Sequence, residues 1–510
     1  MSDWRAIAAK KKAKQQALIP KEWMLKLDDI PIGADVSRVP ETCGLMTVTE
    51  IQITNSDVDD LLEKLAAGEW SSVLVTTAFY KRAIIAHQLA WNLAWVYGFV
   101  PDTNAADTKS EGYVSWVGTY AERNSVLADI LDNAGAVLFV KTNVPQTLMW
   151  SETFNHIFGR TSNPYNRSLT SGGSSGGEGA LVAFCGTYGL RPSYGRVPYA
   201  GCVNSLEGQD SVASVLGPLS NSLSGIKTFM KAVIDARPWL KDPLAVRKRW
   251  SDDEYNLADH GNGKNLCFAI MWDDGLVVPH PPIIRGLEVV KKALLNAGHK
   301  GENFIWFHFY DHDIWAAGAA EDYKVVTAVT GEPVIATMDL DDEISAVGKH
   351  EEHTNATVVI PGVSAYDLWQ THKQKRILRE EYLQLWEDTI QVTGTGRAVD
   401  AIISPAAPYT AIRHGKNNTA QYTMVWNLLD YSSLVIPVSK VDPEIDRVKA
   451  PHDFYNREDK ANYDLYNPAN FANAPISVQL VGRTCEEEAV IAMGEIVVAA
   501  LKRSNDVLNV

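Results

Sequence analysis

The chain has 510 residues, of which 46% are hydrophobic and 21% charged, enough apolar material for one large core or two domains and far from the composition of a disordered polymer. Its formal net charge of −15 excludes nucleic acid or an anionic membrane surface as the main partner. Its five cysteines are scattered without a CxxC pair, which suits reduced thiols in the cytoplasm better than a disulfide framework or a zinc site.

In chain order, Met1 to Leu18 carries Lys10, Lys11, Lys12 and Lys14 among alanines and reads as a charged surface helix. It lacks the apolar core of a signal peptide, and no run in the chain reaches transmembrane length. Ser56 caps a helix that contains Asp59, Leu61, Leu62 and Leu65 and ends at Gly68; Ser72 to Ala90 forms another, so that residues 1 to about 90 make an N-terminal helical segment. Ser125 to Asn133 is helical, Gly135 breaks it, and Ala136 to Val140 is a short apolar run read as a buried strand, with Lys141 at its end. The run Ser171 to Ala180 is so rich in glycine that it is neither regular helix nor regular strand. Leu266 to Met271 is a buried strand followed by a helix from Pro282 to Asn296, with Gly298 beyond its end. Further buried strands are Ala401–Ile403, Leu434–Ile436 and Val478–Val481. Helices alternating with fully apolar strands predict an α/β fold whose mixed central sheet is covered by helices on both faces. With no repeat, low-complexity tract or clear linker, one domain spans 1–510.

Three chemistries compete for the polar motifs. Gly173-Ser174-Ser175-Gly176-Gly177 satisfies G-x-S-x-G, the nucleophile elbow of α/β-hydrolases, but that elbow directly follows a buried strand, and Asn163 to Thr170 is polar and contains Pro164. A phosphate-binding loop needs Gly-Lys-Ser/Thr after its glycines, where this chain has Glu178. His308 and His312, with Asp311 and Asp313 beside them, have metal-ligand spacing, but no third ligand accompanies them and a solvated helix face accounts for them, so no metal site is assigned.

The segment Lys141-Thr142-Asn143-Val144-Pro145-Gln146, then Gly159-Arg160-Thr161-Ser162-Asn163-Pro164, then Ser171 to Ala180, resembles the signature of the amidase signature family. Asp400–Pro405, Asn427–Asp430 with Ile436-Pro437-Val438, and Ala474–Arg483 are similar to further landmarks of that family in the same order. Trp23 and Ala78-Phe79-Tyr80-Lys81 resemble its fungal, acetamidase-like branch. The resemblance implies the amidase signature fold and hydrolysis of carboxamide C–N bonds, a small linear amide giving a carboxylate plus ammonia or an amine, without metal or organic cofactor. It makes Ser174 the catalytic serine that follows a cis peptide and relays a proton, as well as a substrate contact. It also gives the backbone of Leu148, two residues past Val-Pro-Gln, a contact to substrate. The implied partner is a small-molecule amide, and a homo-oligomer is left open.

Two parts of the family pattern have no counterpart. The family's catalytic lysine segment would fall near residues 91–111, where the chain departs at Trp91 and rejoins near Gly112. The loop carrying the nucleophilic serine and the oxyanion donors would fall between Ala183 and Phe184, which are adjacent here with both flanks intact. The lysines left between Ala78 and the serine pair are Lys81, on a solvent-facing helix, Lys109, in a loop with acids, and Lys141. A lysine base must be neutral, through burial or a cationic neighbour, and Lys141 at the end of an apolar strand meets that need best; the resemblance instead gives it a separate motif. The expectation is an amidase whose sequence lacks two segments, through a truncated gene model or splicing, with a catalytically inactive pseudoenzyme or amide-binding protein as the alternative.

Overall fold

The computed structural model describes residues 3–26, 35–91, 95–96, 112–179, 186–304, 319–335, 338, 363–417 and 419–504. Its centre is a seven-stranded mixed sheet built from β1 (Tyr188–Arg191), β2 (Leu219–Ser220), β3 (Cys267–Met271), β4 (Lys300–Phe304), β5 (Ala401–Pro405), β6 (Ser433–Lys440) and β7 (Pro475–Val481) in the order β4-β3-β5-β7-β6-β1-β2. β3 runs parallel to both neighbours, whereas β7 pairs antiparallel with β5 and β6. The register of β6 against β7 shifts between Pro437 and Ser439, where proline has no N–H to give to the ladder.

Period-two alternation distributes the strand residues between two cores. Phe268, Ile270, Ile403, Leu434, Ile436 and Leu480 face one way, onto α3 (Leu223–Asp235), α4 (Pro281–Asn296) and α7 (Glu487–Arg503). Cys267, Ala269, Met271, Ile402 and Val481 face the other, onto α5 (Ala365–Asp388) and α6 (Gln421–Leu429). Every residue of β3, β5 and β7 is buried, which is why these strands read as mainly apolar, with Ser404, Ser477 and Gln479 the buried polar exceptions. The ends of α4 also follow the sequence: Pro281 and Pro282 open it, and Gly298, at φ +88°, lies past its last turn. The α/β architecture with both sheet faces covered agrees with the sequence reading.

The N-terminal part departs from that reading in several places. α1 (Trp4–Ala17) is not simply a surface helix: Trp4, Ala8, Lys11 and Gln15 form a buried stripe, with Trp4 packed on Val114, Ile157 and Phe158. Asp57, not Ser56, caps the helix Val58–Ala66; Ser56 instead closes the preceding one. α2 (Ser72–Ala86) stops short of Ala90 and continues as one wide turn over His87–Trp91. Lys81 does not face solvent: its ammonium lies 2.8 and 3.0 Å from the Glu50 carboxylate, with its side chain 12% exposed. Most unexpectedly, Ala136 to Val140 is not a buried strand. Only Val140–Lys141 is extended, paired with Trp95–Val96, and Val137 and Leu138 are 56% and 64% exposed. An apolar run becomes a buried strand only where strands or helices cover it, and among the described residues Phe139 and Val140 pack against Ile19, Tyr80 and Ile84 while Val137 and Leu138 stay exposed. Lys109, His308, Asp311, His312, Asp313 and both residues of the Ala183/Phe184 junction lie outside the described residues. No helix among the described residues is long and apolar enough to cross a membrane.

Candidate active site

Residues 142–179 sit outside the central sheet and are held by polar contacts. The short strand Asn166–Thr170 pairs with Ser162–Asn163, despite its polar composition, because its backbone is bonded on both sides: Leu169 bridges Arg413, and Thr170 N–H donates to Ile412 O at 2.7 Å. That strand feeds the glycine-serine loop into the segment after β5. The loop then closes as a single helical turn, Gly176–Gly179.

The glycines are needed because backbone passes within contact distance of backbone. A Cβ at Gly173 would fall 2.5 Å from Trp150 O and 2.7 Å from Glu152 N; one at Gly177 would fall 2.2 Å from Asn143 N. The loop is bonded where it touches: Gly177 N–H donates to Asn143 O at 2.9 Å, and the Thr153 hydroxyl donates to Gly172 O at 3.1 Å. The Gly173–Ser174 peptide is cis. Ser174 is half-buried and Ser175 exposed at the crest of this loop.

Asn143 anchors the cradle. Buried completely, its amide donates to Gly159 O and Thr161 Oγ1, and its oxygen accepts from Asn155 at 2.7 Å; Asn155 in turn accepts from Ile157 and Phe158 N–H groups. A buried polar network with every member bonded is rigid. Glu152, 1% exposed, accepts from Gly415 N–H at 2.8 Å and Asn417 N–H at 3.1 Å, fixing the loop after β5 against the backbone that touches Gly173.

Leu148 lies in the turn that leads to Trp150 and Glu152, so the structure brings its backbone and the residue before Ser174 to one segment. Thr147 and Leu148 are consecutive left-handed residues, at φ +75° and +59°, an uncommon conformation for a β-branched and a γ-branched side chain. The Ser205 hydroxyl donates to Thr147 O, and Leu148 N–H donates to Pro145 O at 3.3 Å, which holds the pair in place. Leu148 itself is half-buried.

A second carboxyl clamps the segment from outside. Glu332, 3% exposed, accepts from Val114 N–H at 2.8 Å, Ser115 N–H at 3.3 Å and the Gln146 amide at 3.1 Å, while Gln146 Oε1 accepts from Ile335 N–H at 2.7 Å. Burial pushes the Glu332 carboxyl up to about 7. Asn143 and Gln146 lay within the quoted motif, although nothing in the sequence marked them as anchors. Glu332 has no sequence signal at all, since its partners are 186 to 218 residues away.

Two titratable groups bear on proton transfer. Burial raises the Glu178 carboxyl, against one hydrogen bond from Thr142 Oγ1 at 3.2 Å. The charge of Lys141 acts on Lys11 of α1, whose ammonium is lowered to about 8 by burial, then by Lys14 and Lys141.

Comparison with known proteins adds three findings. The family model described as Amidase matches residues 105–184 and 183–491, two pieces that meet at the Ala183/Phe184 junction. Acetamidases of Emericella nidulans and Aspergillus oryzae are each 36% identical to the chain, covering 96% and 97% of it and 97% and 98% of themselves. Since 96% of 510 residues is about 490, some 65 of the 555 positions aligned with the Emericella protein have no residue in this chain. The solved structure of a fatty acid amide hydrolase superposes with a TM-score of 0.79 at 26% identity, over 97% of this chain and 95% of that one.

Proposed function

Because the chain belongs to the amidase family of amide C–N hydrolases, we propose that residues 142–179 are the remaining half of an acetamidase-like active site, with Ser174 as its relay serine and the Leu148 backbone as a substrate contact. The observation that carries this reading is the glycine-serine loop itself, seated without space for a side chain on Trp150, Glu152 and Asn143. The left-handed pair Thr147–Leu148 in the same segment supports it, since backbone strain of this kind gathers at ligand-contacting turns.

In the full relay, a nucleophilic serine attacks the amide carbonyl as its proton passes to Ser174 Oγ, whose own proton passes to a neutral lysine. Collapse of the tetrahedral intermediate breaks the C–N bond, and the proton returns to the leaving ammonia or amine; water then releases the carboxylate. A serine hydroxyl without a base is a weak nucleophile, and one oxyanion donor alone is worth about 3–4 kcal/mol. This chain supplies the relay serine, but neither the nucleophile's loop nor the lysine segment is in its sequence. The chain as it stands is therefore proposed to be inactive toward small linear amides. The roughly 65 unmatched alignment positions, and the meeting of the two family matches at Ala183/Phe184, support loss of segments from an otherwise intact enzyme.

The test is to restore both segments, taken from an acetamidase relative, after Ala90 and Ala183. The restored chain is expected to release ammonia from acetamide and to lose at least about a hundredfold in rate on Ser174→Ala. A restored chain that folds and stays inactive, or is indifferent to Ser174→Ala, would overturn the assignment. Continuous transcript across both junctions would favour an amide-binding pseudoenzyme over a truncated gene model.

A further inference from the structure

A cavity of about 330 Å³ lies between the start of α4 and the segment 448–466, and none of its lining residues belongs to the glycine-serine loop or to the residues that cradle it. It sits past the carboxyl end of β3, the side on which open α/β sheets bind ligands. Its walls combine aliphatic side chains such as Ile284 and Val448 with the aromatic rings of Tyr455, Tyr463 and Tyr466 and the imidazoles of His280 and His452. We propose that this cavity is a binding site for an organic ammonium cation.

Most polar ends of the walls are already engaged, and the buried His280 Nδ1 has no hydrogen-bond partner among the described residues. Tyr463 OH donates to Lys449 O at 2.8 Å, Tyr466 OH to Asp446 O at 2.6 Å, and Tyr455 OH to Asp273 Oδ1 at 3.3 Å. His280 Nε2 is 2.9 Å from Asn462 O, and His452 Nε2 is 3.0 Å from Asp459 Oδ2. What these residues leave to a ligand is mainly ring surface, whose negative faces attract cations.

The charges around the cavity have the matching sign. Asp453 lines it, and the buried Asp459 carboxylate accepts from Val278 and Tyr455 N–H groups at its wall. Burial first, then the charges of Asp273, Asp459 and Asp274, push the Tyr455 phenol up, so the field at this wall is negative. Burial holds the His280 imidazole down at about 4, hence neutral. The lining has one ammonium or guanidinium, that of Lys449, on an exposed residue.

An anion finds little help from the helix that begins at the cavity, and the charged donor in the lining is the exposed Lys449 ammonium. Pro281 and Pro282 have no N–H, and the next two N–H groups, of Ile283 and Ile284, donate to His280 O at 3.0 and 3.3 Å. A cation bearing an apolar group suits the site on two counts: the aromatic rings in its lining and the carboxylates at its wall.

The site does not depend on amide hydrolysis, so its test is binding to the intact chain by calorimetry, with benzylammonium, benzyl alcohol and benzoate as probes of one shape and three charges. Benzylammonium is expected to bind at least about tenfold more tightly than benzyl alcohol, and benzoate not to bind. Tyr455→Ala and Asp453→Asn, both at exposed positions that leave the core intact, are each expected to weaken benzylammonium about fivefold or more, and Lys449→Met to strengthen it. Ser174→Ala is expected to leave the affinity unchanged, which separates this cavity from the glycine-serine loop. Equal affinity for the alcohol or the benzoate, no binding of benzylammonium, or affinity untouched by Tyr455→Ala and Asp453→Asn would each overturn the proposal.

Discussion

The strand β7, Pro475–Val481, is less apolar than the run Ala136–Val140, yet it is the more buried of the two. β7 lies between β5 and β6, with α4 and α7 over one face, and all seven of its residues are buried. Ala136–Val140 reaches its short pairing with Trp95–Val96 only at its last residue, and Val137 and Leu138 stand mostly in solvent. Apolar composition makes a strand available for burial, but neighbours complete it. The part of the molecule from about residue 186 onward has its neighbours. The part that resembles an active site is held by its polar cradle.

That contrast predicts a graded response to substitution. The largest effect is expected at Arg196, which pairs with Glu487 and Glu488 at 2.7 Å each with all three side chains at most 1% exposed. Arg196→Met strands two buried carboxylates and should cost about 3–5 kcal/mol in a urea melt. Leu480→Ala, in the middle of β7, should cost about 2–5 kcal/mol by leaving a cavity in a core that cannot collapse.

A smaller effect concerns pH and the clamp on the cradle. The Glu332 carboxyl, raised to about 7 by burial, holds its proton more tightly folded than unfolded. Between its unfolded value near 4.5 and about 7 the folded state binds more protons, so stability falls as pH rises through that window. The loss is on the order of 1–3 kcal/mol, and Glu332→Gln should flatten it in melts taken from pH 4.5 to 7.5. A steeper fall in the variant would contradict the clamp. The smallest effect is expected at Leu138→Ser, within about 0.5 kcal/mol of the parent, because the side chain is already 64% exposed. A loss comparable to that at Leu480 would mean that Ala136–Val140 is buried after all and would break the comparison.

Much of the sheet was legible because a strand buried on both faces leaves a mostly apolar run, unbroken in Cys267–Met271 and interrupted only by Ser404 in Ala401–Pro405 and by Ser477 and Gln479 in Pro475–Val481. The boundaries of α4 were legible from Pro282 and Gly298. The glycine-serine loop was legible as irregular backbone, but the reason for its glycines was not, since it lies in Trp150, Glu152 and Asn143 rather than in the loop. Charged side chains misled most. Lys81 and Lys11 look solvated on their own helices, and only distant segments show that Glu50 takes one and burial depresses the other. The exposure of Val137 and Leu138 was invisible because sequence reports what a segment can bury, not whether a partner is there to bury it.

This chain has the fold of an amidase, and we propose that it carries the relay serine without the groups that perform the attack. The most direct test is ammonia release from acetamide by the purified 510-residue chain, measured beside its Ser174→Ala variant. Neither is expected to release ammonia above the uncatalysed background. Ammonia release by the parent chain that disappears in Ser174→Ala would contradict it and show that a nucleophile and a base are already present.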